Sequence, residues 1–404
     1  MTQKLYFLDP WMKDFEAKVT GLRSDEKGRW LSLDQSAFYP EGGGQPFDTG
    51  FLSSGERRFP VLEVQPDESG TVWHRVALPA GAAFPEPGEA VRGSIDWPRR
   101  FDHMQQHTGE HILAGSLNLL TGGFTHGLHI GAEASSIDVT LPDGALRLPP
   151  GTLDEIEALA NRRVAEDAPI TCFFPTAEEL AVLPLRKEPT VTEMVRVCKV
   201  GDYEMVACGG THLGRASQAG PIKILSCQPA RGKMRLFFLC GLRGAGHYRM
   251  CWKALDASAS LLNARADEVP ARVSALLGQA AEARREISGL KSRLTLAKLP
   301  GLLAGAKPLP NGRLVVFELE EEDIPAMEDL ARGLIRVGGV LVLLSAPQGD
   351  KALCLFARSP DREEDMAGLL TASGAKGGGR PDFARGQAGD GAVLKRAENL
   401  LMNG

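Results

Sequence analysis

Four side chains stand out for the chemistry they could do together: His107 and His111 in DHMQQHTGEHIL, and Cys208 and His212 in ACGGTHL. Imidazole nitrogens and a thiolate are the donors that suit Zn²⁺. The first pair is spaced by four positions, so on a helix both rings project from one face, one turn apart, and can converge on a single ion. The second pair flanks Gly209 and Gly210, which permit a tight turn presenting both donors from a loop or hairpin. The pairs lie too far apart in the chain for a local zinc finger. A site made of all four must be assembled by a folded domain, and the competing reading is a set of buried histidines and a core cysteine.

His103 continues the histidine stripe one turn earlier. The ends of a 103–107–111 stripe are about 12 Å apart along an ideal helix axis, too far to share one ion. His107 and His111 therefore form the ligand pair, and His103 is left as a rim or substrate-side candidate. Glu110 is rotated from them by about 100° on the helix and reads as a surface residue. No HExxH arrangement is present, which counts against a zinc peptidase.

These residues need elements to hold them. Residues 1–95 read as short strands punctuated by Gly and Pro, with a regular spacing that predicts a small β-barrel. Inside it FYPEGGGQPFDTG carries Gly42, Gly43 and Gly44, more backbone freedom than a hairpin requires, which suits close chain approach or a ligand contact. A helix is predicted from Pro98 to the stop signal Thr121-Gly122-Gly123, with Leu113, Leu117 and Leu120 as its apolar stripe. An amphipathic helix over 152–167 follows, opened by a capping box of Thr152 and Glu155. With the surrounding strand patterns, 96–245 forms an α+β layer containing both ligand pairs.

Residues 246–300 shift to Ala, Leu, Arg and Glu. Val269, Val273, Leu276, Ala280, Ala283, Ile287, Leu290, Leu294 and Ala297 make a heptad seam that needs a partner, either a helix over 247–265 folded back as a hairpin or a second chain. Residues 301–404 alternate strands and helices as an α/β domain. The closing GAKGGGRPDFARGQAGD carries Lys376, Arg380 and Arg385 and reads as a phosphate- or nucleic-acid-binding loop, or as a solvated linker.

The 404 residues carry seven cysteines and a net charge of −5. The irregular cysteines do not read as a disulfide framework, and no apolar run is long enough to span a bilayer, so a cytoplasmic protein without membrane attachment is expected. The acidic balance excludes an indiscriminate nucleic-acid binder but not a local basic surface.

Taken in chain order, FYPEGGGQPFDTG, RRFDHMQQHTGEHIL, CGGTH and the glycine-rich tail resemble the AlaX-type alanyl-tRNA editing proteins, relatives of the editing and C-terminal regions of alanyl-tRNA synthetase. The resemblance spans essentially the whole chain, and its last motif marks the long form. It implies a translation-factor-like barrel, a zinc-dependent editing domain, a helical hairpin or coiled coil, and a C-terminal DHH-associated domain. It also implies trans hydrolysis of tRNA(Ala) mischarged with serine or glycine, with Zn²⁺ on His107, His111, Cys208 and His212. The chain starts at the barrel, so a synthetase core and aminoacylation are not expected. The contrasting reading is a non-catalytic, zinc-stabilised tRNA-binding module. Thr108, Thr211 and His103 are the catalytic candidates; Gly42, Gly43, Gly44, Gln45, Arg100, Lys376, Arg380 and Arg385 are the substrate-binding ones. Arg92 and Arg99 are further phosphate candidates. Thr108, Thr125 or His126 could bond the serine hydroxyl, the group whose presence separates serine from alanine. A homodimer through the helical or C-terminal region is the partner expectation besides tRNA.

Overall fold

Along the first half of β1 (Asp14–Asp25) inward apolar residues alternate with outward polar ones: Phe15, Ala17 and Val19 point in while their neighbours face solvent. That period of two suits one buried face. In the computed structural model, which describes residues 1–78, 83–189 and 194–403, β1 closes a barrel with β2 (Gly28–Leu33), β3 (Gly50–Ser54), β4 (Arg57–Pro66), β5 (Val72–Val76) and β6 (Ala90–Ile95), in the order β1-β2-β5-β4-β3-β6. Leu31, Phe38, Leu52, Phe59 and Val64 fill its interior. His74 is wholly buried there, bonded to Ser36 Oγ at 2.8 Å and to the Leu31 carbonyl at 3.3 Å.

Helix α1 (Trp97–Thr121) follows directly. Asp96 caps it, its side chain accepting from the Arg99 amide, and Gly122 ends it in the left-handed conformation at φ 67°. Both ends fall where the proline and glycine signals put them. The expected apolar stripe is incomplete, because Leu120 is exposed; instead the helix is buried around nearly its whole circumference from Arg100 to Leu117. Gly109 makes this burial feasible, since a Cβ there would lie 2.2 Å from Cys240 Sγ.

Around α1 are packed the sheet β12-β13-β8-β7, made of β7 (Phe124–Ile130), β8 (Ser135–Thr140), β12 (Ile222–Ala230) and β13 (Lys233–Cys240), and the helix α2 (Pro150–Ala165). A smaller sheet holds β9 (Ile170–Phe173), β10 (Val197–Val200) and β11 (Glu204–Ala207). The capping box expected for α2 is absent: the helix starts two residues earlier, after Pro149, with no side-chain cap bond. Proline's fixed φ supplies the start that Thr152 was expected to provide. Barrel and α+β layer form one compact unit, residues 1–255, so the expected boundary near residue 95 lies inside it.

The second unit covers residues 256–404. Its six-stranded mixed sheet runs β14-β15-β16-β17-β19-β18, from β14 (Lys307–Leu309), β15 (Gly312–Glu318), β16 (Val340–Gln348), β17 (Lys351–Arg358), β18 (Lys376–Arg380) and β19 (Phe383–Ala388). Alternate residues of β16 enter two cores on opposite faces, Leu341 and Leu343 on one, Val340, Val342 and Leu344 on the other. The glycine-rich tail is neither a loop nor a linker. It is the antiparallel β18–β19 hairpin at the sheet edge.

Helix α3 (Gly241–Leu261) and α4 (Val269–Ala297) realise the helical region. The heptad seam of α4 is not covered as a hairpin would cover it: Val273, Leu276, Ile287, Leu290 and Leu294 are all exposed. The C-terminal end of α4 packs within its unit beside α5 (Ile324–Ile335), where Ser292 Oγ donates to Asp329 Oδ2 at 2.5 Å. None of the seven cysteines is in a disulfide. Among the described residues no helix is long and apolar enough to cross a membrane.

Candidate metal centre

Helix periodicity sets His107 and His111 on the same side of α1, with ring centroids 5.3 Å apart. The turn after β11 brings Cys208 and His212 against them. His107 Nε2 and His212 Nε2 lie 3.3 and 3.2 Å from Cys208 Sγ, and the His212 ring is 4.6 Å from each of the other two. One donor atom from each of the four falls within 4.8 Å of the rest. Gly210 is needed for this approach, since a Cβ there would lie 2.1 Å from His107 Cε1.

Two of the rings are oriented from behind. His107 Nδ1 bonds Gln45 Oε1 at 2.8 Å, and His212 Nδ1 bonds Thr108 Oγ1 at 3.3 Å. Both acceptors are themselves fixed: Gln45 Oε1 also takes the Thr211 amide, Gln45 Nε2 donates to Thr211 Oγ1, and Thr108 Oγ1 accepts the Leu213 amide. Protonation at Nδ1 leaves Nε2 of each ring as a lone-pair donor facing the sulfur, the usual arrangement behind ligating histidines. Burial pushes His107 down to about 3 and His111 and His212 well below the ordinary imidazole range, so all three are neutral and ligand-competent at pH 7. Burial also raises the Cys208 thiol to about 12, so an ion bound here would displace its proton. His111 Nδ1 is buried without a hydrogen-bond partner. Three neutral imidazoles, one thiol and an orphaned ring nitrogen fit a metal ion.

Three of the four donors, His107, His111 and Cys208, line a cavity of about 610 Å³. Gly42, Gly43 and Gly44 line one wall. Only Gly44 is required by contact: at φ +84° its Cβ would sit 1.7 Å from the Leu128 carbonyl oxygen, and its own carbonyl accepts the Ile130 amide at 3.0 Å. The glycine motif thus docks the barrel loop on β7. Thr125 and His126, both at the wall, come from that same strand.

Several expected site residues sit elsewhere. Arg100 cannot reach substrate: it is completely buried, ion-paired to Asp48 and donating to the Pro10 and Ala37 carbonyls at 2.9 and 2.5 Å. It fastens the barrel to the start of α1. Thr108 and Thr211 are fully buried and support ligand rings instead of facing the cavity, and Gln45 does the same. His103 is buried outside the cluster, pushed down to about 3 by burial and by the neighbouring Arg99 and Arg243 cations. Lys376, Arg380 and Arg385 are exposed on the β18–β19 hairpin of the second unit. Arg92 lies 3.6 Å from Asp14, and Arg99 donates to the Phe47 carbonyl.

Glu110 reverses its sequence reading. It is buried, lines the cavity, and places Oε2 3.9 Å from His111 Nε2. It is buried because α1 is enclosed on all sides, which helical phase alone does not reveal. Burial pushes its carboxyl up to about 7 against the pull of Arg186 and Lys187, and a cation held by the adjacent donors would draw it back toward ionisation. No motif or spacing in the sequence marks Arg186 or Arg196. Arg186 pairs with Glu204 and donates to Thr125 Oγ1 at 2.9 Å; Arg196 donates to the carbonyls of Cys208 and Gly210 at 3.0 and 2.8 Å.

Fold and site together define a barrel joined to an α+β domain that gathers three histidines and a cysteine at a cavity. Residues 11–99 match the family model of class II (A) tRNA synthetases, and residues 195–236 that of the threonyl and alanyl tRNA synthetase second additional domain. The chain is 33% identical, over 98% of its length, to the alanine–tRNA ligase of Pyrococcus abyssi, of which it spans 43%. It is 30% identical, over 96% of its length and 95% of the relative's, to the alanyl-tRNA editing protein AlaX-L of Pyrococcus horikoshii. The chain belongs to the AlaX-type alanyl-tRNA editing proteins.

Proposed function

We propose that this protein hydrolyses the ester of tRNA(Ala) mischarged with serine, and with glycine, acting in trans. The observation that carries the reading is the His/Cys cluster at a cavity walled by the glycine motif, in a chain that aligns nearly end to end with an editing protein. The resident ion on this reading is Zn²⁺, held by His107, His111, Cys208 and His212. Zinc bond lengths put the N···S edges of a tetrahedral site at roughly 3.5 Å, close to the 3.2 and 3.3 Å found. Four protein donors complete a tetrahedron, so the bound ion supplies a fixed positive centre and stabilises the pocket.

The remaining chemistry falls to side chains of the wall. Glu110 is the sole carboxylate among the described lining residues, and in this scheme its Oε2 takes the proton of the attacking water. Arg186 occupies one lone pair of Thr125 Oγ1, leaving the Thr125 hydroxyl hydrogen to donate to a serine hydroxyl. Alanine would leave that donor unpaired beneath its methyl group, which disfavours it; glycine also lacks the hydroxyl but leaves space for a water to accept from Thr125, which makes it the lesser substrate beside serine.

A deacylation assay with Ser-, Gly- and Ala-tRNA(Ala), paired with metal analysis, tests the reading. The expected result is release of serine and glycine with Ala-tRNA(Ala) spared, and loss of turnover in Glu110→Gln with metal content unchanged. Binding of tRNA without amino-acid release would favour the non-catalytic module instead.

A further inference from the structure

The cavity has an apolar feature that ester hydrolysis does not use. Phe174, just beyond β9, lines it while remaining 44% exposed. Phe7, on the one-turn helix Leu5–Leu8, also lines it and meets Phe174 edge to face, with centroids 5.8 Å apart and planes at 70°. Positive charge surrounds this pair. The Arg196 guanidinium lies 5.1 Å and the Lys4 ammonium 5.7 Å from the Phe7 ring centre, and Lys187 lines the same cavity. Arg196 also donates to the carbonyls of Cys208 and Gly210, so the aromatic pair is tied to the cluster loop.

An open aromatic face beside cations is the chemistry that grips a nucleobase and its flanking phosphates in single-stranded nucleic acid. Serine and glycine are too small and polar to need it. In an aminoacyl-tRNA the ester is carried by the ribose of the terminal adenosine, so with the ester over the cluster the adenine is the apolar group next to it. We propose that Phe174, held upright by Phe7, is the stacking platform for the terminal adenine of the substrate, with Lys4 and Lys187 facing the adjoining phosphates. Stacking tolerates any base, and none need be excluded because every tRNA ends in adenosine. The inference rests on the deacylase reading and adds a subsite to it.

The test crosses Phe174→Ala with removal of the base. Ser-tRNA(Ala) and the same molecule with an abasic terminal ribonucleotide are hydrolysed by the intact protein and by the variant. Both changes singly should lower kcat/KM by about 5- to 150-fold, the span of one base–aromatic stack, and combining them should cost no more than either alone. Phe174→Trp should retain the activity. Equal effects of Phe174→Ala on both substrates, or none, would overturn the platform. Should the intact protein hydrolyse neither substrate, the deacylase reading fails, and the platform is then judged by binding of a hydrolysis-resistant serylamide of 3′-aminoadenosine. Undiminished affinity in Phe174→Ala would refute it there as well.

Discussion

His74 in the barrel and the ligand-set rings of His107 and His212 are all buried, and what meets the second ring nitrogen distinguishes them. His74, in the barrel, has both ring nitrogens engaged by the protein, one with Ser36 Oγ and one with the Leu31 carbonyl. In the α+β layer, Nδ1 of His107 and of His212 is held by Gln45 and by Thr108, while Nε2 of both rings meets the one Cys208 sulfur, whose single proton can serve only one of them. All three are deeply buried. The first arrangement satisfies itself; the second leaves a converging set of lone pairs for which burial without a cation would be costly.

Metal removal should break the comparison most strongly. Chelation, or Cys208→Ala, is expected to destabilise the first unit by at least about 3 kcal/mol, the contribution of a ligand present at a hundredfold over its Kd. Melting curves that coincide with and without one equivalent of Zn²⁺ would remove the metal from the account. His74→Ala should leave metal content unchanged.

His74 should show its setting through pH. Burial lowers it to about 4 from an ordinary 6.5, so its neutral form is favoured in the folded state. Its contribution is complete above pH 6.5 and is lost as pH falls toward 4, because the unfolded chain gains the proton first. The loss is about 3 kcal/mol. NMR titration should find the His74 ring neutral at pH 5; a ring that titrates near 6.5 contradicts its enclosure.

Smaller effects should follow from the residues behind the ligands. Gln45→Ala removes the acceptor of His107 Nδ1 and should weaken metal binding about 10- to 100-fold, measured by competition with a chromogenic chelator. Thr108→Val acts on His212 through a longer contact, 3.3 Å against 2.8 Å, and should cost under about tenfold. An equal or larger effect of Thr108→Val would reverse the ranking of the two supports.

The two glycine triads show how far the sequence could be read. Both Gly42–Gly44 and Gly377–Gly379 suggest backbone freedom used by a ligand. In the first, Gly44 lets a barrel loop touch β7 and so closes the cavity wall. In the second, Gly377 lies so close to its hairpin partner that a Cβ would sit 2.3 Å from the Arg385 carbonyl oxygen. The run of three glycines is shared by both, and the chain that each glycine approaches is not encoded beside it. Glu110 departs from its surface expectation for a related reason, because helical phase reports direction but not what packs there. Arg100 looked like a phosphate contact until Asp48, from the barrel, proved to hold it.

The sequence by itself determined the donor types, the shared helix face of His107 and His111, the ends of α1, the strand pattern of the barrel and the family. Each follows from spacing or a contiguous motif. Only the tertiary structure decided which residues face the cavity and which stand behind the ligands. The pairs Gln45–His107, Thr108–His212 and Arg186–Thr125 join segments remote in sequence, and such pairs form only when separate elements pack, so no local periodicity announces them.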